Sequence, residues 1–134
     1  MPHLVVLYTP NLESRTNLDF LCRSLADTML AQRDEAGAQV FPTGGTRVLA
    51  FPAAHHAVAD GKRDYAFMYL NLRMAPGRSD AVKQAAGDAL LAAVKRHFAP
   101  IFEQSLIGIT LQIDESPGQV YDGKHSTLHP LFKP

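Results

Sequence analysis

The strongest constraint on this chain's fold is a repeat in its layout. By hydropathy period, a strand, a helix and a strand begin near residues 2, 17 and 46, and again near 64, 79 and 108. The offset is 62 each time. A constant offset over three elements points to two copies of one β-α-β unit, residues 2–59 and 64–115, although the halves share few side chains. Within each unit the strands must run parallel, joined by a right-handed crossover. Two such units pair into a four-stranded mixed sheet with both helices on one face, an α+β fold. The other face is expected to be apolar and uncovered, which predicts an oligomer.

The pattern places each element. Residues 3–9 form an apolar run of strand length, closed by Pro10 and Asn11. Leu18, Leu21, Cys22, Leu25 and Met29 recur at helical spacing, predicting a helix over 17–32 with Cys22 as a small core residue. Residues 34–45 connect it to a second strand over 46–51, which residues 55–59 extend past Pro52. Residues 65–74 alternate densely and read as a central strand. Ser79 caps a helix over 80–97 that turns Val82, Ala86, Leu90, Leu91, Val94 and Phe98 inward, and Pro100 ends or kinks it. The fourth strand covers 106–113, and residues 116–134 form an extended arm without a core of its own.

Composition narrows the functional classes. A chain of 134 residues with 46% hydrophobic content is one globular domain, residues 1–134. Thirteen basic and thirteen acidic residues cancel, so no charge excess points to nucleic acid or an anionic membrane. The single cysteine cannot form an internal disulfide and fits a reducing compartment. With no apolar run of membrane-spanning length and no signal-peptide pattern, the chain reads as soluble and cytoplasmic.

Three residues stand out as candidates for chemistry. Pro2 precedes the first strand, and removal of Met1 would leave it as a free secondary amine on the rigid part of the fold. Proline is also a common second residue, so this feature gains weight only from its surroundings. Arg78 lies in a turn just before a helix start, where backbone N–H groups and the helix dipole already favour an anion. Arg47 opens a strand after Gly44-Gly45, which leave room for a ligand to approach. A guanidinium at either place can hold a carboxylate in two-pronged fashion.

At this point an ordered set of motifs matches a family. Pro2-His3, Gly45-Thr46-Arg47, Ala59-Asp60-Gly61, Asp64-Tyr65-Ala66-Phe67, Gly77-Arg78-Ser79 and the ending Leu128-His129-Pro130-Leu131-Phe132 resemble the 5-carboxymethyl-2-hydroxymuconate delta-isomerases. That family belongs to the tautomerase superfamily, with 4-oxalocrotonate tautomerase. The resemblance spans nearly the whole chain and implies a tautomerase-like duplicated β-α-β fold assembled as a trimer. It implies a cofactor-independent isomerase, with no metal and no organic cofactor, acting on a small anionic unsaturated acid. Pro2 takes the place of the family's general base and acid, and Arg47 and Arg78 those of its carboxylate-binding arginines. In the first unit the turn equivalent to Gly77-Arg78-Ser79 reads Glu13-Ser14-Arg15-Thr16, so Arg15 is a relic or a third anion contact. Residues 50–56 and 121–124 depart from the family pattern and bear on which acid is taken.

The preferred reading is therefore an isomerase or tautomerase of an unsaturated 2-oxo or 2-hydroxy polycarboxylic acid. Two alternatives stand beside it: a hydratase or decarboxylase using Pro2, and a non-catalytic oligomeric module that binds small anions. The histidines offer little. His55 and His56 are adjacent, so on a strand they face opposite ways. His125 and His129 have the spacing of a zinc pair on a helix, but Pro130 argues against a helix there.

Overall fold

A computed structural model describes residues 2–132. Its elements are β1 (His3–Tyr8), α1 (Leu18–Leu30), β2 (Arg47–Pro52), β3 (Tyr65–Met74), α2 (Asp80–Phe102) and β4 (Leu106–Glu115). Short 3-10 turns cover Pro10–Leu12, Thr43–Gly45 and His129–Phe132. The strands form one four-stranded sheet in the order β2-β1-β3-β4. β1 pairs parallel with β2, and β3 parallel with β4. β1 and β3 pair antiparallel at the centre, joining the two β-α-β units. This is the α+β arrangement expected from the repeat.

Alternation along the strands separates a core face from an open face. Leu4, Val6 and Tyr8 of β1, and Ala66, Met68, Leu70, Leu72 and Met74 of β3, are buried beneath the helices. From above, α1 contributes Leu21, Leu25 and Met29, and α2 contributes Val82, Ala86, Leu90, Ala93, Val94 and Phe98. Ala93 takes an inward place that the pattern gave to Leu91, which is only half-buried. Cys22 also departs from expectation. It lies half-buried at the margin of the core, and burial followed by the Asp19 carboxylate pushes its thiol upward from its ordinary value.

The helix starts obey their caps. The Asn17 side chain accepts from the Phe20 N–H at 2.9 Å, and Ser79 accepts from the Val82 N–H at 3.2 Å. Pro100 does not stop α2, which continues through it to Phe102. A proline so near a helix end sacrifices one backbone bond, while Ile101 beyond it still packs on the core.

β2 stops at Pro52 and residues 55–59 do not extend it. The reason is the partner: β1 ends at Tyr8, whose carbonyl takes the Ala53 N–H at 2.8 Å, and β1 then turns away through Pro10.

The open face is only partly apolar, which corrects the expected uniformly apolar surface. Leu7, Leu49 and Phe51 stand exposed toward the β2 edge. Toward β4 the face is polar, with Tyr69 donating to Gln112 at 2.9 Å and Asn71 to Asp114 at 2.7 Å.

The C-terminal arm is extended through most of its length, as expected, but it returns to the body. Ser116 is buried and its N–H bonds the Met74 carbonyl at 2.8 Å. His129–Phe132 then settles on the Thr43–Gly45 turn. A Cβ on Gly44 would stand 3.2 Å from the His129 Cα and 3.4 Å from the Phe132 ring, so glycine is what lets the arm dock. The arm thus runs from the end of β4 to the start of β2. Among the described residues no helix is long and apolar enough to cross a membrane.

Candidate active site

Topology collects several polar side chains at one end of the sheet. β1 and β2 begin there, and β3 and β4 end there. Pro2 is buried and immediately precedes His3, whose register partners are Arg47 on β2 and Arg73 on β3. Strand pairing therefore brings the chain start and Arg47 to the same sheet end. Arg47 lies on the open-face alternation, since Val48 and Ala50 pack on the core, and its guanidinium donates to the Gly45 carbonyl at 3.4 Å.

Arg78 reaches the same sheet end by a different route. Gly77, at φ 113°, turns the chain out of β3 in a conformation that a side chain would strain. The Arg78 guanidinium then donates to the Val40 carbonyl at 2.7 Å and the Ala75 carbonyl at 3.2 Å, and lies 5.4 Å from the Phe41 ring centroid. Next to it, the Ser79 hydroxyl donates to Glu35 at 2.7 Å. The Gly77-Arg78-Ser79 turn thus clamps the connection between α1 and β2, a structural task the sequence reading missed. A guanidinium has five N–H donors, so some remain for a ligand.

His3, which the sequence offers only as a neighbour of Pro2, lies between Arg47 and Arg73 at this end. Burial, and then the adjacent Arg47 guanidinium, hold its imidazole below the ordinary value, so it is neutral at pH 7. Beside it opens a cleft of about 240 Å³ lined by His3, Arg73, Met74, Ala75, Ser116, Gln119 and Asp122. Arg73 and the arm residues became visible as neighbours only through the antiparallel β1–β3 pairing. Two wider hollows, of about 590 and 610 Å³, lie along the α2–β4 edge and beside the start of α1. The first reaches the same sheet end through Asp114 and Glu115, but of the three only the smaller cleft is lined by His3, the neighbour of Pro2.

Arg15 lies elsewhere in the chain. It follows the far end of β1 and pairs with Asp64, which also accepts from Asn11 at 3.0 Å. These contacts, Asn11 first, hold the Asp64 carboxyl below its usual range. Since β1 alone spans about 20 Å at 3.3 Å per residue, Arg15 is not a third anion contact for Pro2 within one chain. Among the described residues no three histidine, cysteine, aspartate or glutamate side chains are grouped to hold a metal ion.

Paired β-α-β units with both helices on one face define the class: a small α+β protein built on a duplicated unit. The particular family follows from comparison with known proteins. Residues 2–132 match the family model described as 5-carboxymethyl-2-hydroxymuconate isomerase. The Escherichia coli 5-carboxymethyl-2-hydroxymuconate Delta-isomerase is 30% identical over 133 residues, 99% of this chain and 100% of that protein. A crystal structure of a 5-carboxymethyl-2-hydroxymuconate delta-isomerase superposes with a TM-score of 0.94 at 50% identity, covering 100% of this chain and 94% of the other. That of a Deinococcus radiodurans R1 5-carboxymethyl-2-hydroxymuconate isomerase gives 0.85 at 32% identity, covering 99% and 95%. The chain belongs to the 5-carboxymethyl-2-hydroxymuconate isomerase family and is an isomerase, which sets aside the non-catalytic reading.

Proposed function

We propose that this isomerase acts on 5-carboxymethyl-2-hydroxymuconate, moving one proton along the conjugated chain, with the Pro2 nitrogen as base and then acid. The observation that carries this is the meeting of the chain start with Arg47 at one sheet end, in a chain of this family. Met1 is removed, so that Pro2 carries a free amine with a usable lone pair. An α-amino group titrates near 8; burial and neighbouring guanidinium charge disfavour the ammonium and lower that value. The amine takes the proton from one end of the conjugated system and returns it at another carbon, so the reaction balances without metal or organic cofactor. Arg47 and Arg78 hold carboxylates of the substrate and answer the negative charge that builds as the proton leaves. Positioned proton transfer of this kind supplies about 10²–10⁴-fold.

The working form is a homotrimer in the cytoplasm. The exposed Leu7, Leu49 and Phe51 on the open sheet face support assembly, and the lone cysteine supports a reducing compartment. An ultraviolet assay of substrate isomerisation by protein whose intact mass shows loss of Met1 tests the reading. Turnover of 5-carboxymethyl-2-hydroxymuconate supports it; a Met1-free sample that moves no proton on this acid overturns it.

A further inference from the structure

The substrate proposed above has three carboxylates, two ending the muconate chain and one on the carboxymethyl branch. Arg47 and Arg78 account for two. Arg15, paired with Asp64 at the opposite sheet end, does not reach the cleft beside His3 within one chain. Arg73 is placed to supply the third. It stands across from His3 in the β1–β3 register, on the open face, between the buried Leu72 and Met74. Its side chain is exposed, and among the described residues no hydrogen bond or ion pair holds its guanidinium.

The surroundings suit an anion. Arg73 lines the cleft of about 240 Å³ that opens beside His3, and the Gln119 amide and Ser116 hydroxyl share its wall. Two carboxylates lie nearby, and each accepts a hydrogen bond from another side chain. Asp122, in the cleft wall, accepts from Lys124 at 2.6 Å, an interaction that holds its carboxyl below the usual range. Asp114, level with Arg73 on β4, accepts from Asn71 at 2.7 Å. The Asn71 amide leaves the Asp114 charge in place, but neither carboxylate bonds the Arg73 guanidinium, so its N–H donors are left for a ligand.

We infer that Arg73, with His3 and Gln119 beside it, binds the carboxymethyl carboxylate and sets the preference for a tricarboxylic over a dicarboxylic acid. This rests on the proposed reading of the site, and it adds a specificity residue which that reading lacks. The carboxymethyl carboxylate itself neither gives nor takes the proton, so the contact acts on binding and leaves turnover alone. A substrate without the third carboxylate leaves the guanidinium in water and gains nothing from it.

Arg73→Gln tests this, with initial rates on 5-carboxymethyl-2-hydroxymuconate and on 2-hydroxymuconate. Loss of a charge-assisted contact should raise KM for the tricarboxylate about 10- to 100-fold, with kcat within about threefold and the dicarboxylate unaffected. Arg73→Lys should restore part of the loss. Equal changes on both acids, or none on either, overturn the inference. If the wild type turns over neither acid, the proposed function fails while the subsite remains testable by calorimetry. Wild-type protein should then bind propane-1,2,3-tricarboxylate more tightly than glutarate, and Arg73→Gln should abolish the difference; equal binding by the wild type overturns the subsite.

Discussion

Pro2, Arg47 and Arg78 are proposed for different jobs, and their variants should separate those jobs. Pro2→Ala keeps an amine but loses the ring and its basicity, so kcat should fall at least about tenfold within the range that positioned proton transfer supplies, with KM little changed. Arg78→Ala should instead raise KM about 10- to 100-fold. It should also lower unfolding stability by about 1–2 kcal/mol, because the Val40 carbonyl loses its 2.7 Å partner. Steady-state kinetics and a denaturant titration read both effects, and small equal changes in kcat and KM would contradict the assigned roles. Pro2, Arg47 and Arg78 stand out in the sequence as candidates because strand starts and helix-start turns have local signatures. Arg73 and His3 do not, since nothing local says which residue of β3 lies opposite the third residue of the chain. The two readings of Arg15 divide for the same reason: its turn holds the equivalent place in the first unit but sits at the far end of β1, paired with Asp64.

Between elements, two contacts hold the structure in ways no local pattern announces. The docked arm depends on Gly44, and Gly44→Val should push His129–Phe132 off the Thr43–Gly45 turn at a cost of about 1–3 kcal/mol, read as a lower melting temperature. No loss of stability would mean that the arm contributes nothing there. The helices are tied by the 2.7 Å bond between Thr16 Oγ1 and His97 Nε2, with Phe20 stacked 6.2 Å from the imidazole. Burial holds His97 below its ordinary value of 6.5. The unfolded chain therefore takes up a proton as pH falls through 6.5, while the folded chain does so only at lower pH, and stability falls with pH in that window. His3, held down by burial and Arg47, contributes with the same sign. Melting temperature should drop between about pH 7.5 and 5.5, and His97→Gln should shrink that drop; an unchanged slope would contradict the role given to His97. Element ends were the least legible part. Whether α2 runs through Pro100 was decided by the packing of Ile101, and whether β2 passes Pro52 by where β1 ends.

At the scale of the molecule, the repeat was the most legible feature, because period-two and helical patterns recur at a constant spacing. The open face was not, since alternation gives the parity of a residue but not what lies beside it across the sheet. Its mixture of Leu7, Leu49 and Phe51 at one side and Tyr69–Gln112 and Asn71–Asp114 pairs at the other emerged only from the register. The proposed trimer should weigh three times the 14.7 kDa chain in sedimentation equilibrium, and Leu49→Asp should dissociate it; a wild-type monomer would contradict the assembly. The account as a whole turns on the Pro2 nitrogen, and one comparison addresses it most directly. Turnover of 5-carboxymethyl-2-hydroxymuconate should be measured with Met1-free protein and with the same protein carrying a residue peptide-bonded before Pro2, each verified by intact mass. The free form should be active and the blocked form at least about 100-fold slower, because an amide nitrogen has no basic lone pair; equal rates would contradict the account.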